Sequence, residues 1–334
     1  MKKRSLLFAS LLLLVVLYYP VKLVAGPYYE GKRITIIVGF GPGGGNDRMA
    51  RLFAKHLPKH IPGKPTIIVD NMAGASSMIA SNHIFNVAKP NGLTIGAVNK
   101  ALPMAQLLKI EGLNFDLTKF SWIGSTAIET TVLTIRTDLP YKTFNDLLKT
   151  ESPIKVGGTG PMELSSVFVV LLRDFVGLKV KEVTYPSGTV AMLAVERKEV
   201  DARGGSYSSL KPFIERGLVR PIIRGQASEP EIENLPMDQD FAQDKKAKTL
   251  MAMLSAPDYI GRPFVAPPGT PADIMKVLRD AFSKAAEDPE LLEDAKKNML
   301  TVKYVPAEEC SKVISYVLNQ PQDIIREFSK YIKF

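Results

Sequence analysis

Between Ile34 and Asp47 the sequence reads ITIIVGFGPGGGND: a β-branched run, a loop crowded with glycine, and then an apolar-periodic segment. Glycines let a chain turn tightly and present its amide hydrogens without side chains in the way. A helix beginning at the end of such a loop adds a partial positive charge, so the arrangement suits an anion. Phe40, Gly41, Gly43, Gly44 and Asn46 are the expected contacts. Asp47 would repel an acid at close range, and is expected to cap or stabilise the helix instead. A tight turn holding no ligand is the alternative. Gly39, Gly41 and Gly44 also fit G-x-G-x-x-G, with Asp70 ending the next strand, as in a dinucleotide site. Pro42 interrupts that turn, and Asp70 lies farther on than the usual spacing of about 20 residues. No Gly-Lys-Ser/Thr follows, which excludes a P-loop.

Three further loops are rich in small polar residues: Ala75-Ser76-Ser77 after Asn71 and Gly74, Thr159-Gly160-Pro161 after Gly157-Gly158, and Ser187-Gly188-Thr189. Each follows a segment that reads as a strand, and in α/β sheets ligands gather at the carboxyl ends of strands. Four such loops spread over two units argue for a cleft between domains. Arg203 precedes Gly204-Gly205-Ser206. Its planar fork could hold a carboxylate across the cleft, with Ser206 beside it, or it pairs with Glu199 or Asp201.

Catalytic patterns are weak. His56 and His60 are separated by Pro58, with no glutamate to complete a zinc-protease motif, and His83 is the remaining histidine. The Gly74 to Met78 and Gly204 to Ser208 stretches each miss the last glycine of a nucleophile elbow. Neither a catalytic residue, nor a metal, nor a cofactor is expected, and the chain reads as a non-enzyme.

The elements that must position these loops alternate. Ile34–Val38, Thr66–Val69 and Leu93–Val98 read as strands, with helices carrying Met49, Leu52, Phe53 and Leu57, and spanning Ser76–Val87. The pattern restarts at Thr131–Ile135, continues through Ile154–Val156 and a helix over Leu164–Phe175, and predicts an α/β fold with parallel sheets. Residues 227–258, polar and proline-rich, suggest a surface connection. Phe264–Ala266 reads as a strand returning to the first unit, followed by helices from Pro271, over Ala307–Leu318 and over Gln322–Tyr331. The lobes are therefore expected as 26–128 with 261–334, and as 129–260.

Lys2, Lys3 and Arg4 precede an apolar run, Leu6–Leu17, too short for a span of about 20 residues, and Ala25 offers a cleavage point. A cleaved signal peptide over residues 1–25 and a periplasmic location are expected; an uncleaved anchor is the rival. The formal charge of +9 falls to +5 once Lys2, Lys3, Arg4 and Lys22 leave. The remaining charges are interleaved, which argues against nucleic acid and leaves a mild bias toward anionic ligands. Cys310 is the one cysteine, so no internal disulfide forms, and its neighbours suggest a small buried hydrophobe.

Taken with Ala50-Arg51, Pro90-Asn91-Gly92, Phe120 to Ser125, Val183 to Gly188, Glu199-Val200-Asp201 and Pro267-Pro268-Gly269-Thr270-Pro271, these loops resemble the solute receptors of tripartite tricarboxylate transporters, the Bug family. The resemblance spans the mature chain. It implies a two-lobed periplasmic binding protein, type II-like, with a hinged interdomain cleft. It also implies a small carboxylate-bearing ligand held by backbone amides, small polar side chains and waters, membrane transporter subunits as partners, and a monomer. A binding protein reporting to a membrane sensor would look the same, and an exported α/β enzyme is a third reading. Two loops depart from the family. Gly158-Thr159-Gly160-Pro161-Met162 and Ser166 stand where many members have Ser-Ser-Gly-x-Gly and a later His, and Ser76-Ser77 stand where Gly-Gly is common.

Overall fold

The apolar run after Lys32 becomes strand β1 (Arg33–Val38), an inner strand of the first of two sheets. The computed structural model describes residues 27–160 and 163–332, so the expected leader and the candidate contact Pro161 lie outside the described residues. β2 (Thr66–Asn71) and β3 (Thr94–Ala97) flank β1 in parallel, joined through helices Gly45–His56 and Met78–Asn86. After β4 (Ser121–Ser125) the chain leaves this sheet. It builds the second from β5 (Thr131–Arg136), β6 (Ile154–Gly158), β7 (Val180–Thr184), β8 (Ala202–Ser206) and β9 (Val219–Arg224), in spatial order β7-β6-β8-β5-β9. It then returns as β10 (Pro263–Ala266) and β11 (Val305–Pro306), completing the first sheet as β11-β4-β10-β3-β1-β2.

Both sheets are mixed rather than parallel. β10 runs antiparallel to β3 and β4, and β5 antiparallel to β8 and β9. Direction explains the difference. A strand reached over a crossover helix repeats the direction of its predecessor. β5 and β10 instead enter their sheets from the opposite lobe, so they start at the edge where the parallel strands finish.

The core of the first lobe centres on Phe53, Phe264 and Phe282, whose ring centroids lie 4.9–6.2 Å apart between β10 and helices Gly45–His56 and Ala272–Ala286. The Pro289–Lys297 helix is clasped to this lobe by two histidines. His56 Nε2 lies 2.9 Å from Asp294 and His60 Nε2 2.7 Å from Asp288, so these rings serve structure. No cluster of metal-ligating side chains occurs among the described residues. Cys310 is fully buried, and burial pushes its thiol up to about 12, which leaves it inert.

Residues 227–258 are more than a surface connection. They hold helix Lys245–Ser255, which buries Ala247, Leu250, Met251 and Leu254 against Phe168 and Leu172 in the second core. Those positions recur at helical spacing, a signal masked by the surrounding prolines and acids. Helix Ala307–Leu318 carries Cys310 and Ile314 into the first lobe, yet the next helix, Gln322–Phe328, packs Phe328 into the second core. Glu327 meets Lys246 at 2.8 Å there. Two segments cross between the sheets side by side: the Thr126 amide donates to the Arg262 carbonyl at 3.0 Å, and the Glu129 amide to the Asp258 carbonyl at 2.9 Å.

Candidate functional site

Between the lobes, at the carboxyl ends of β1, β3 and β6, lies a cleft of about 360 Å³ whose floor is the crossing pair. That volume sits at the small end of ligand pockets. Of the residues expected at the site, Phe40, Asn46 and Ser76 line it from the first lobe, and Thr159 and Ser206 from the second. Gly41, Gly43, Gly44, Ala75, Ser77, Gly160, Ser187, Gly188 and Thr189 stand outside its lining.

The glycine loop is shaped by Asp47. Its Oδ2 accepts the Gly43 amide at 2.8 Å, while Arg51 Nε and Asn71 Nδ2 donate to the same carboxylate at 3.0 and 2.8 Å. Burial alone would raise the Asp47 pKa, but hydrogen bonds from Arg51, Gly43 and Asn71 outweigh it and lower the value. Gly44, not Asn46 or Asp47, is the N-cap of helix Gly45–His56, and no side chain caps it. Asp47 reaches back from within the first turn and takes the Gly43 amide for itself. Gly45 lets the Arg262 guanidinium pack close: a Cβ there would lie 2.5 Å from Nη2 and would make the arginine shift.

The second loop stores strain. Ala75, Ser76 and Ser77 have φ of 43°, 52° and 78° in succession, in the left-handed region that favours glycine. Neighbours hold them there. Asn99 Nδ2 donates to the Ser76 carbonyl, Ser81 Oγ to the Ser77 carbonyl, and Ser77 Oγ presses on Gly39, where a Cβ would lie 1.8 Å away. Such outliers cluster at functional loops. Ser76 is exposed at the cleft, so replacing it tests the strain without emptying the core. Ser76→Gly is expected to stabilise the ligand-free protein by about 0.5–1 kcal/mol, the relief of a left-handed residue less the added freedom of the unfolded chain. Urea denaturation against a Ser76→Ala control reads this, and a glycine variant no more stable than wild type would remove the strain argument.

Arg203 is a member of β8 rather than of a loop leaving it, and its guanidinium does not stand in the cleft. Nη1 donates to the Gly157 carbonyl at 3.1 Å, and Nη2 lies 3.3 Å from Glu163 Oε1. Its ion-pair partner is thus neither Glu199 nor Asp201, the two acids beside it in the chain. β8 lies between β5 and β6, which places Arg203 beneath the start of helix Leu164–Val176.

The charges that do line the cleft are Lys100, Glu129, Glu163 and Arg262, none of them expected from motifs. Lys100 Nζ is 2.5 Å from Asp258 Oδ1, and Arg262 Nη2 is 2.8 Å from Glu129 Oε1, with Ser208 Oγ donating to Glu129 Oε2 at 2.6 Å. Two more buried acids lie near the crossing, one of them bonded to it. Glu229 Oε1 accepts the Thr130 amide, and burial, with the neighbouring Glu129 charge, pushes its carboxyl up to about 7. Asp238, 1 % exposed, is likewise raised to about 7, by burial first and by the charge of Asp258. The one signal that could have found Lys100 and Glu163 is position, since each lies just past the end of a strand.

Residues 49–329 match a family model described as tripartite tricarboxylate transporter family receptor. A UPF0065 protein of Bordetella pertussis is 25% identical over 305 residues, covering 90% of each chain. Among solved structures, a TctC solute binding protein from Polaromonas, without ligand, superposes with a TM-score of 0.69 at 20% identity, over 91% of this chain and 99% of that one. An R. palustris protein with adipate superposes at 0.68 and 18% identity, over 91% and 99%.

Proposed function

The chain belongs to the tripartite tricarboxylate transporter receptor family, and from that premise we propose that it is an extracytoplasmic receptor which closes on a small carboxylate-bearing ligand. The observation that carries this reading is the cleft, lined from both sheets and floored by two adjacent crossing segments. Only closure brings Asn46 and Ser76 on one side and Thr159 and Ser206 on the other to the same ligand, so binding favours the closed form. The lobes are residues 26–128 with 261–334 and residues 129–260, with helix Gln322–Phe328 reaching over to pack Phe328 among residues of the second. The ligand passes to membrane transporter subunits, the protein acts as a monomer, and it performs no chemistry on what it carries. Export by a signal peptide cleaved near Ala25 places it in the periplasm. Among the described residues no helix is long and apolar enough to cross a membrane.

Residues at the site take distinct parts. Asn46 and the first-turn amides of helix Gly45–His56 meet a carboxylate on one wall, with Phe40 and Ser76 beside them. Lys100 and Arg262 supply positive potential from the floor.

A panel of carboxylates screened by thermal shift and by X-ray scattering tests the proposal. A true ligand at about 100 times its dissociation constant adds about 2.7 kcal/mol of stability and compacts the scattering envelope. A panel in which no acid stabilises the folded protein, or a bound acid that leaves the envelope unchanged, would sink it.

A further inference from the structure

Four charged side chains line the cleft, and three of them are already committed. Glu129 is 5 % exposed, with one oxygen on Arg262 and the other on Ser208. Arg262 is 10 % exposed and Lys100 17 %, the latter held by the buried Asp258. Glu163 differs. Its side chain is 33 % exposed on the second-lobe wall, while its partner Arg203 is 5 % exposed and lies behind it. The two Arg203 contacts, 3.3 and 3.5 Å, are long for charge-assisted bonds, which run to about 2.7–2.9 Å. Thr159 Oγ1 donates to one of the same oxygens. A carboxylate has about four lone-pair sites and no hydrogen to give. Arg203 and Thr159 together use only part of that capacity, so Glu163 brings spare acceptor-only lone pairs to the cleft it lines.

A ligand lying across the cleft therefore meets opposite chemistry at its two ends. Toward the first lobe are Asn46 and the start of helix Gly45–His56, which suit an anion, above a floor where Asp258 and Glu129 offset the charges of Lys100 and Arg262. Toward the second lobe is Glu163, whose positive partner is screened from the ligand by Glu163 itself. A second carboxylate at that wall would face like charge, whereas an ammonium would be drawn to it.

From this polarity we infer that the ligand is a monocarboxylate whose far end is a hydrogen-bond donor, an ammonium above all, and that Glu163 selects it against dicarboxylates. The inference rests on the carboxylate-receptor reading and narrows it to one substrate class.

Calorimetry on matched pairs tests it: glycine, β-alanine and γ-aminobutyrate, each against the dicarboxylate with the same methylene spacer, malonate, succinate and glutarate. Wild type is expected to bind at least one amino acid tenfold or more tighter than its partner, and Glu163→Gln to abolish or reverse that ratio. A dicarboxylate that binds wild type as tightly as its amino counterpart overturns the inference and leaves the receptor reading standing. An unchanged ratio in Glu163→Gln overturns the role of Glu163. Binding of no member by the folded wild type counts against the carboxylate reading and takes the inference with it. The wild-type comparison is decisive even should Glu163→Gln, which leaves Arg203 half-paired, fold poorly.

Discussion

Arg262→Ala is expected to cost about 3–5 kcal/mol of stability, because it strands Glu129 as an unpaired buried charge. The side chains of Arg262 and Glu129 are 10 % and 5 % exposed, and the guanidinium meets the carboxylate through both Nε, at 3.0 Å, and Nη2, at 2.8 Å. The same group packs against Gly45 of the first lobe and lies 3.5 Å from Ser208 of the second. Its loss should loosen the floor of the cleft as well as remove a positive charge from it. The double variant Arg262→Ala/Glu129→Gln separates the two effects. Removing both charges should restore much of the stability, since a missing pair costs less than a broken one. Ligand affinity should stay reduced by tenfold or more. Denaturant unfolding and calorimetry on the three proteins check this; a single variant as stable as wild type would show that the pair carries no weight.

The second large effect is a stability that falls as pH rises from about 5 to 7.5. Glu229 and Asp238 are raised to about 7 in the folded protein, chiefly by burial, from about 4.5 and 3.8. A carboxyl with a raised folded pKa keeps its proton in the native state while the unfolded chain has lost it. The contribution is therefore fully present below the unfolded pKa and is lost as pH climbs through the folded one. The combined loss across this window should be about 2–4 kcal/mol, at 1.36 kcal/mol per pKa unit with allowance for relaxation of the site. On the acid side the sign reverses. Asp294 and Glu327, lowered to about 2 by Lys55 and His56 and by Lys246 and Lys330, stabilise above their unfolded values and cease to do so as pH drops toward 2. Maximum stability is expected between about pH 4 and 5. Urea titrations of wild type and of Glu229→Gln/Asp238→Asn at pH 5 and 7.5 settle the matter. The variant should lose clearly less than wild type over that interval, with Asp258 and Glu182, also raised by burial, keeping part of the slope, and a wild type that gains stability toward pH 7.5 would contradict the assignment.

Much of the scaffold could be read from local patterns. The β-branched run before Gly39, the buried stripe of Met49, Leu52 and Phe53, and the return at Phe264 each announce themselves within a few residues, and each forms the expected element. Helix Lys245–Ser255 escaped because its apolar positions are diluted by lysines and preceded by a stretch dominated by acids and prolines. The cleft was harder. Loops of small residues mark where backbone is free to approach a ligand, and Phe40, Asn46, Ser76, Thr159 and Ser206 do line the space between the lobes. Lys100, Glu129, Glu163 and Arg262 have no motif around them. They come together through strand order and crossing geometry, which no short stretch encodes. Arg203 could be seen as an arginine needing an acid, but its partner lies 40 positions away, at a loop-helix junction.

The placement of β10 bears on how the chain reaches its native state. β10 lies between β3 and β4 and pairs with both, so the first sheet stays split until residues more than 130 positions after β4 arrive. The second sheet, by contrast, closes within Thr131–Arg224, a continuous stretch. Pairings distant in the chain are slow because the loop must close before the contact rewards it. Emerging from its N-terminus, the polypeptide displays the unpaired edges of β3 and β4 until β10 has been made. That is the interval in which the chain is most open to wrong association, since open strand edges are templates for pairing with other chains.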